Sequence, residues 1–198
     1  GLEALRFLFH HLPSEGSFSY VVAQHLAPQH SSMLTDLLAR ETSMPVRQLD
    51  SDMMMEPATI FVTAPNTNVI YRDGYLRLVQ PNDRGPKPSV DALLDSLANE
   101  IPDRSVAVIL SGSGSDGSRG VRALKTAGGF VVAQDPRTAK YSGMPQAAIA
   151  TGLVDAVLPP EEIGPYLLRL REFQESPKSR HAPRRRTSEV DQILEKIN

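Results

Sequence analysis

Two side chains that could take part in proton transfer follow predicted β-strands at separate places in the chain. His25 comes after the apolar run Tyr20 to Ala23, and Asp116 lies in a loop of alternating Gly and Ser after the run Val106 to Leu110. A histidine paired with a carboxylate can take a proton from a serine hydroxyl that attacks a carbonyl carbon. If both strands belong to one parallel sheet, their carboxyl ends meet at one edge, where the two residues could pair. The ordinary alternatives are a solvated or core-edge His25, and Asp116 as the N-cap of the following helix.

The same loop permits a second interpretation, because Gly112, Gly114 and Gly117 form a G-x-G-x-x-G pattern between a strand and a helix. Asp135 closes the next strand about 20 residues later, as a dinucleotide-binding fold requires. However, Asp116 would place a carboxylate among the phosphates that such a loop binds. Dinucleotide binding is therefore the less favoured alternative.

The elements around these residues predict an α/β protein with a doubly wound, mostly parallel sheet, helices on both faces and one β-hairpin insertion. The hairpin is predicted at Asn68 to Val79, because Asp73 and Gly74 suit the positive φ angles of a tight turn. Further strands are predicted at 59–63, 106–110, 130–135 and 153–158. Helices are predicted at 1–11, 31–40, 89–101, 121–129, 145–150 and 160–170. Residues 81–88 are predicted to form a polar loop, and the three methionines Met53 to Met55 to be packing or solvated residues.

Composition narrows the function classes. The chain has 198 residues, a formal net charge of −2 and no cysteine, so it lacks a general attraction for polyanions and any disulfide or thiolate metal site. It shows neither a signal peptide nor an apolar run of transmembrane length. We expect a cytoplasmic protein with no cofactor, no metal, no nucleic-acid partner and no membrane insertion.

The composition changes near residue 172, which predicts two parts. Residues 1–172 form the predicted folded domain, and residues 173–198 a basic linker followed by a short amphipathic helix. The linker includes Arg184 to Arg186, and the helix is indicated by apolar residues at Val190, Ile193, Leu194 and Ile197.

Several segments, in the same order, resemble the catalytic domain of the CheB-type chemotaxis protein-glutamate methylesterases. They are GLEAL at the start, VVAQHLAPQHSSML, APNTNVIYRDGYLRL, LSGSGSDGSRGVRALKTAGG and AQDPRTAKYSGMPQAAIATGLVDAVLPPEEI, which together span residues 1 to about 170. The resemblance implies hydrolysis of glutamate γ-methyl esters on chemoreceptors and deamidation of receptor glutamines. It also implies water as the second substrate and no cofactor.

Position by position, the resemblance places the family's histidine base at His25 and its orienting aspartate at Asp116. The backbone N–H at Ser113 corresponds to an oxyanion donor, although many members have Met there, and Gly114 and Met144 are expected to border the cleft. A backbone donor survives exchange of its side chain, so Ser113 leaves oxyanion binding possible.

The nucleophile falls on no residue of this chain. In the family it is the Ser of an S-x-G-G turn, and Gly1 matches the last glycine of that turn. Ser111, Ser113 and Ser115 lack the environment of a nucleophile elbow. We therefore expect the serine to lie upstream of Gly1 and residues 1–198 alone to be nearly inactive. The alternative is a non-catalytic module that binds receptor segments or couples to a neighbouring domain.

The segment after residue 172 also resembles the joint of fused methylesterase–methyltransferase sensor proteins. This resemblance implies an adjoining methyltransferase domain on the carboxyl side, and a methylated chemoreceptor or similar signalling protein as partner. A solvated, charged tail is the alternative.

Overall fold

The structure, a computed structural model, describes residues 2–14, 16–24, 31–80 and 88–175. The helices in this part are α1 (Leu2–His10), α2 (Ser31–Glu41), α3 (Val90–Glu100), α4 (Ser118–Ala127), α5 (Gly143–Ile149) and α6 (Pro160–Glu175), with a short 3-10 helix at Pro102–Arg104. The strands are β1 (Tyr20–Val22), β2 (Val46–Leu49), β3 (Met53–Met54), β4 (Ile60–Thr63), β5 (Asn68–Arg72), β6 (Tyr75–Val79), β7 (Val106–Ile109), β8 (Phe130–Gln134) and β9 (Ala156–Leu158).

These strands form three sheets of three strands each. Two are parallel, with the orders β1-β4-β2 and β7-β8-β9, and the third is antiparallel, with the order β3-β6-β5. The predicted α/β class with mostly parallel strands is confirmed. The strands that precede His25 and Asp116 are not hydrogen-bonded neighbours, because β1 and β7 are each the outer strand of a different parallel sheet.

Helices cover both faces of the parallel sheets, as predicted. Successive side chains of a strand point to opposite faces, and Val131 of β8 packs in one apolar cluster while Val132 packs in another. The cluster around Val131 includes residues of α3, α4 and α5. The cluster around Val132 includes residues of α1, α2 and α6 and also Ile60 of β4, so one core joins the two parallel sheets.

The predicted hairpin is confirmed and is larger than expected. Its turn residues Asp73 and Gly74 have φ angles of 52° and 85°, and β5 and β6 pair antiparallel on either side. Met53 and Met54 add a third strand, β3, to this hairpin. The strands β2 and β3 have two to four residues, too few for a period-two pattern to stand out.

Several boundaries differ from the prediction. Helix α4 begins at Ser118 and α5 at Gly143, each earlier than predicted, and α6 continues to Glu175. Strand β9 begins only at Ala156; the preceding Asp155 accepts a hydrogen bond from the N–H of Val131 through its carboxylate. The predicted linker and carboxyl-terminal helix, and most of the predicted polar loop, lie outside the described residues. None of the helices described is both long and apolar enough to cross a membrane.

Candidate catalytic site

Asp116 is held by the amino-terminal end of α3. Its two carboxylate oxygens accept hydrogen bonds from the N–H groups of Val90 and Asp91, at 2.8 and 3.1 Å. These amides, together with the positive end of the helix dipole, favour a negative charge on Asp116. The alternative of Asp116 as N-cap of the following helix is wrong. The N-cap of α4 is Gly117, which has a φ of 96° and no side-chain cap, and Asp116 binds α3 instead.

A reciprocal bond fixes α4 against α3. Asp91, in the first turn of α3, accepts a hydrogen bond from the N–H of Gly120 in the first turn of α4, at 2.8 Å. The two helices touch closely here, because a Cβ at Gly120 would lie 2.6 Å from the Cβ of Leu94. Asp116, from the loop before α4, thus binds the amino-terminal end of α3, and Asp91 of α3 binds the amino-terminal end of α4. These bonds hold Asp116 in place relative to both helices. Sequence reasoning missed Asp91, because an acid in a first helical turn is common and does not identify its partner.

The first half of the Gly-Ser loop is bound to the segment that leads into α5. The N–H of Gly112 donates to the carbonyl of Tyr141, and the N–H of Met144 donates to the carbonyl of Gly112, each at 2.9 Å. A Cβ at Gly112 would lie 2.3 Å from the sulfur of Met144, and a Cβ at Gly143 would lie 3.0 Å from the nitrogen of Gly114. Gly112 and Gly143 therefore allow the Gly-Ser loop and the start of α5 to pack closely.

A cavity of about 460 Å³ separates β1 from β7. Apolar side chains of α1 and α3 line it on two sides, and three segments line the end where β1 and β7 finish. The α1 and α3 residues are Leu5, Leu8, Phe9, Val90, Leu93, Leu94 and Leu97, and those at the end of β1 and β7 include Gln24, Ser111, Gly112, Ser113 and Met144. The structure therefore brings together Ser113 and Met144, which the sequence analysis had placed at the cleft, with Gly114 next to them in the same loop.

His25 lies outside the described residues, so its pairing with Asp116 stays a prediction. The residue before it, Gln24, lines the same cavity as Ser113. The side-chain oxygen of Gln24 is buried and has no hydrogen-bond partner in the described part of the chain. The chain therefore leaves β1 at the cavity end where the Gly-Ser loop lies, which is the placement that a His25–Asp116 pair requires.

Asp135, the acid that a dinucleotide site would use, is bound within its own turn. Its carboxylate accepts hydrogen bonds from two side-chain nitrogens of Arg137, the shorter at 2.6 Å, and from the backbone N–H of Arg137 at 2.9 Å. These hydrogen bonds lower the pKa of Asp135. A carboxylate with these partners is not poised to bind a ribose, and this argues against the dinucleotide interpretation.

A metal centre finds no support in the part of the chain that the structure describes, where no three His, Asp or Glu side chains are grouped as metal ligands. Near the Gly-Ser loop lie the carboxylate of Asp116, backbone amides, serine hydroxyls and the side chains of Gln24 and Gln134. The carboxylate can orient a base, and the amides can stabilise an oxyanion.

Comparisons with known proteins all point to one family. The family model described as CheB methylesterase matches residues 1–167. A protein-glutamate methylesterase/protein-glutamine glutaminase of Moorella thermoacetica is 36% identical over 177 residues, which cover 86% of this chain and 42% of that protein. The protein-glutamate methylesterase FrzG of Myxococcus xanthus is 34% identical over 148 residues, covering 74% of this chain and 44% of FrzG.

Two further matches extend this comparison. An uncharacterised 104.1 kDa protein of Rhodobacter capsulatus is 44% identical over 134 residues, which cover 68% of this chain and 14% of that protein. The crystal structure of the Thermotoga maritima CheB methylesterase catalytic domain superposes with a TM-score of 0.80 at 28% identity, covering 86% of this chain and 93% of that domain. The chain thus spans less than half the length of the curated relatives compared here, but most of a catalytic domain.

Proposed function

Because the chain belongs to the CheB methylesterase family, we propose that it provides the base, the orienting acid and the oxyanion loop of a serine hydrolase. The proposed substrates are glutamate γ-methyl esters and glutamine amides on a chemoreceptor or similar signalling protein. The observation that carries this proposal is the anchored carboxylate of Asp116, in a loop whose first half lines a cavity shared with Gln24.

In the proposed reaction a serine oxygen attacks the ester carbonyl while His25 takes the serine proton. Asp116 orients the imidazole and stabilises the imidazolium that forms. Backbone N–H groups near Ser113 and Gly114 bind the oxyanion, and His25 returns the proton to the departing methoxide. Water then attacks the acyl-enzyme by the same route, which releases glutamate and regenerates the serine. Ammonia takes the place of methanol when the substrate is glutamine.

The cavity supports the proposal that the nucleophile reaches this site from upstream of Gly1. Both of its long walls are outer strands of parallel sheets, β1 and β7, and both of its faces are apolar helices. A strand lying between them and followed by α1 and β1 would form a β-α-β unit of the usual kind. The turn between that strand and α1 would emerge at the parallel strands' carboxyl ends, next to Gln24 and Ser113.

The test is ester hydrolysis by the natural protein, including the sequence upstream of Gly1, on a p-nitrophenyl ester and on methylated receptor. We expect His25→Ala or replacement of the upstream serine to lower kcat by about 10⁴-fold or more, because triad members act as one unit. Residues 1–198 alone should show almost no turnover. His10→Ala is the matched control, because His10 is exposed on α1 and faces Glu41 at 3.9 Å.

Two outcomes would contradict the catalytic proposal. Hydrolysis unchanged by His25→Ala would rule out the triad. Receptor binding without turnover by the natural protein would favour the non-catalytic module instead.

We also propose a methyltransferase domain on the carboxyl side of this chain. The Rhodobacter capsulatus relative supports a larger architecture, because the matched segment is only 14% of a 104.1 kDa protein. Methyl transfer to receptor glutamates by the natural protein would test this, and absence of that activity would contradict it.

A further inference from the structure

One buried polar side chain near the loop has no part in the reaction described above. Gln134, the last residue of β8, is 1% exposed and is among the largest fully buried side chains. The sequence indicated only that it lies within the predicted strand 130–135. We propose that Gln134 is a positioning residue that sets the geometry of the oxyanion loop; this rests on the proposed function.

The hydrogen bonds of Gln134 fix the orientation of its amide. Its oxygen accepts from the N–H of Ser111 at 2.8 Å, and its nitrogen donates to the hydroxyl of Thr138 at 3.1 Å. A backbone N–H can only donate, so the oxygen of Gln134 must face Ser111. The hydroxyl of Thr138 gives its own hydrogen to the carbonyl of Asp135, at 2.8 Å, and is therefore free to accept from Gln134.

From Ser111 the bonds continue through the loop. The hydroxyl of Ser111 accepts from the N–H of Tyr141 at 3.0 Å, and Gly112 then exchanges backbone bonds with Tyr141 and Met144. The side chain of Gln134 thus connects the exit of β7, the turn after β8 and the entry to α5. These are the segments that carry Ser113, Gly114 and Met144, so Gln134 controls where the proposed oxyanion donors lie.

No other common side chain reproduces both bonds at this buried position. Methionine has similar length and flexibility but leaves the N–H of Ser111 without an acceptor. Glutamate keeps an acceptor but brings a charge into a site that is almost completely excluded from solvent. The role therefore belongs to the amide group and not simply to a side chain of that volume.

The experiment compares Gln134→Met with Thr59→Val in the natural protein that includes the upstream sequence. Thr59 is a good control, because it is 2% exposed, its hydroxyl donates to the nearby carbonyl of Pro57, and it precedes β4 at the opposite end of the parallel strands. For Gln134→Met we expect kcat to fall by about 10- to 100-fold with KM within about twofold, since misplacement of catalytic groups acts mainly on the chemical step. Thr59→Val should leave kcat unchanged even if it lowers the melting temperature.

Hydrogen exchange provides a readout that does not depend on activity. Gln134→Met should speed amide exchange in residues 111–115 and 138–144, whereas Thr59→Val should not. Thr138→Val should also speed exchange in these residues, though less, because it removes the acceptor for Gln134. Thr138→Ser keeps the hydroxyl and should exchange like the natural protein. If the natural protein shows no hydrolysis, the proposed function fails, but exchange still decides whether Gln134 positions the loop. Equal exchange and unchanged kcat in Gln134→Met, or an effect spread evenly over the chain, would overturn the proposal.

Discussion

At the scale of single residues, Asp116 shows how a loop carboxylate can be held by the backbone amides of a helix that is distant in the sequence. The sequence indicated that Asp116 lies after a strand, which the structure confirms. It could not indicate that the amides binding it belong to Val90 and Asp91, because 25 or 26 positions separate the bonded residues. Contacts of that range depend on how α3 and α4 pack, and spacing in the sequence does not encode them.

Tyr166 on α6 provides a test of burial. It is 1% exposed, and its hydroxyl has no hydrogen-bond partner in the described part of the chain. Burial, reinforced by the negative charge of Asp155, raises the pKa of Tyr166 from 10.0 to about 12. The folded state thus keeps its proton at a pH where the unfolded state has lost it. The contribution of this protonated hydroxyl to the free energy of unfolding is fully present below pH 10. It is lost as pH rises from about 10 to 12.

We therefore expect Tyr166→Phe to match or exceed the natural protein in free energy of unfolding at pH 8, because it removes an unpaired buried hydroxyl. Between pH 8 and 11 the natural protein should lose about 1 kcal/mol more than Tyr166→Phe, since each pKa unit corresponds to about 1.4 kcal/mol. Urea denaturation at both pH values measures the difference. Parallel loss in both proteins would show that Tyr166 does not contribute to the alkaline transition.

At the scale of elements, the packing of α3 against α4 is stabilised by two carboxylates that bind backbone N–H groups. Asp116 binds the first turn of α3, and Asp91 binds the first turn of α4. Asp91→Ala should lower the free energy of unfolding by about 1–2 kcal/mol, the usual value of a helix cap, because it removes the acceptor for the N–H of Gly120. The control is Asp95→Ala. Asp95 lies on the same helix and contacts Arg119 at 3.1 Å, but it is not among the residues that cap α4.

Urea denaturation of the two variants separates the cap from the ion pair. Arg119 contacts both acids and is mostly exposed, so the ion pairs should contribute little. Equal destabilisation by Asp91→Ala and Asp95→Ala would contradict the capping role.

The elements that the sequence predicted well have strong local signals. The hairpin β5–β6 has a turn that requires positive φ, and α3 has a serine cap that accepts a hydrogen bond from Ala92. The short strands β2 and β3 were missed because their pairing with β4 and β6 is decided by tertiary contacts. Near the site, Gln134 looked like part of an apolar run, and only the fold reveals what its amide does.

At the scale of the whole molecule, the cavity between β1 and β7 separates two parallel sheets that share one apolar core. A sequence pattern predicts strands but not their order, and so the prediction of a single sheet edge for His25 and Asp116 could not foresee this gap. The walls of the gap are backbone edges on two sides and apolar side chains on the other two. These are the surroundings that an additional central strand requires.

We expect the strand proposed upstream of Gly1 to raise the melting temperature of residues 1–198 by about 5 °C or more. In a protein of this size roughly 1 kcal/mol corresponds to 2–4 °C, and a central strand buries several apolar side chains. Hydrogen exchange should slow most in β1 and β7. A control with the same upstream residues in scrambled order should give neither effect. Equal stabilisation by both versions would contradict the assignment of the cavity to a strand.

The two strand edges at this cavity also affect how the protein behaves at high concentration. Unpaired backbone groups beside apolar surface are the usual starting point for aggregation between molecules, and natural proteins limit the risk by keeping such edges short. Here the edges have three and four residues. The solubility of residues 1–198 should therefore depend on whether the gap between the two parallel sheets is filled.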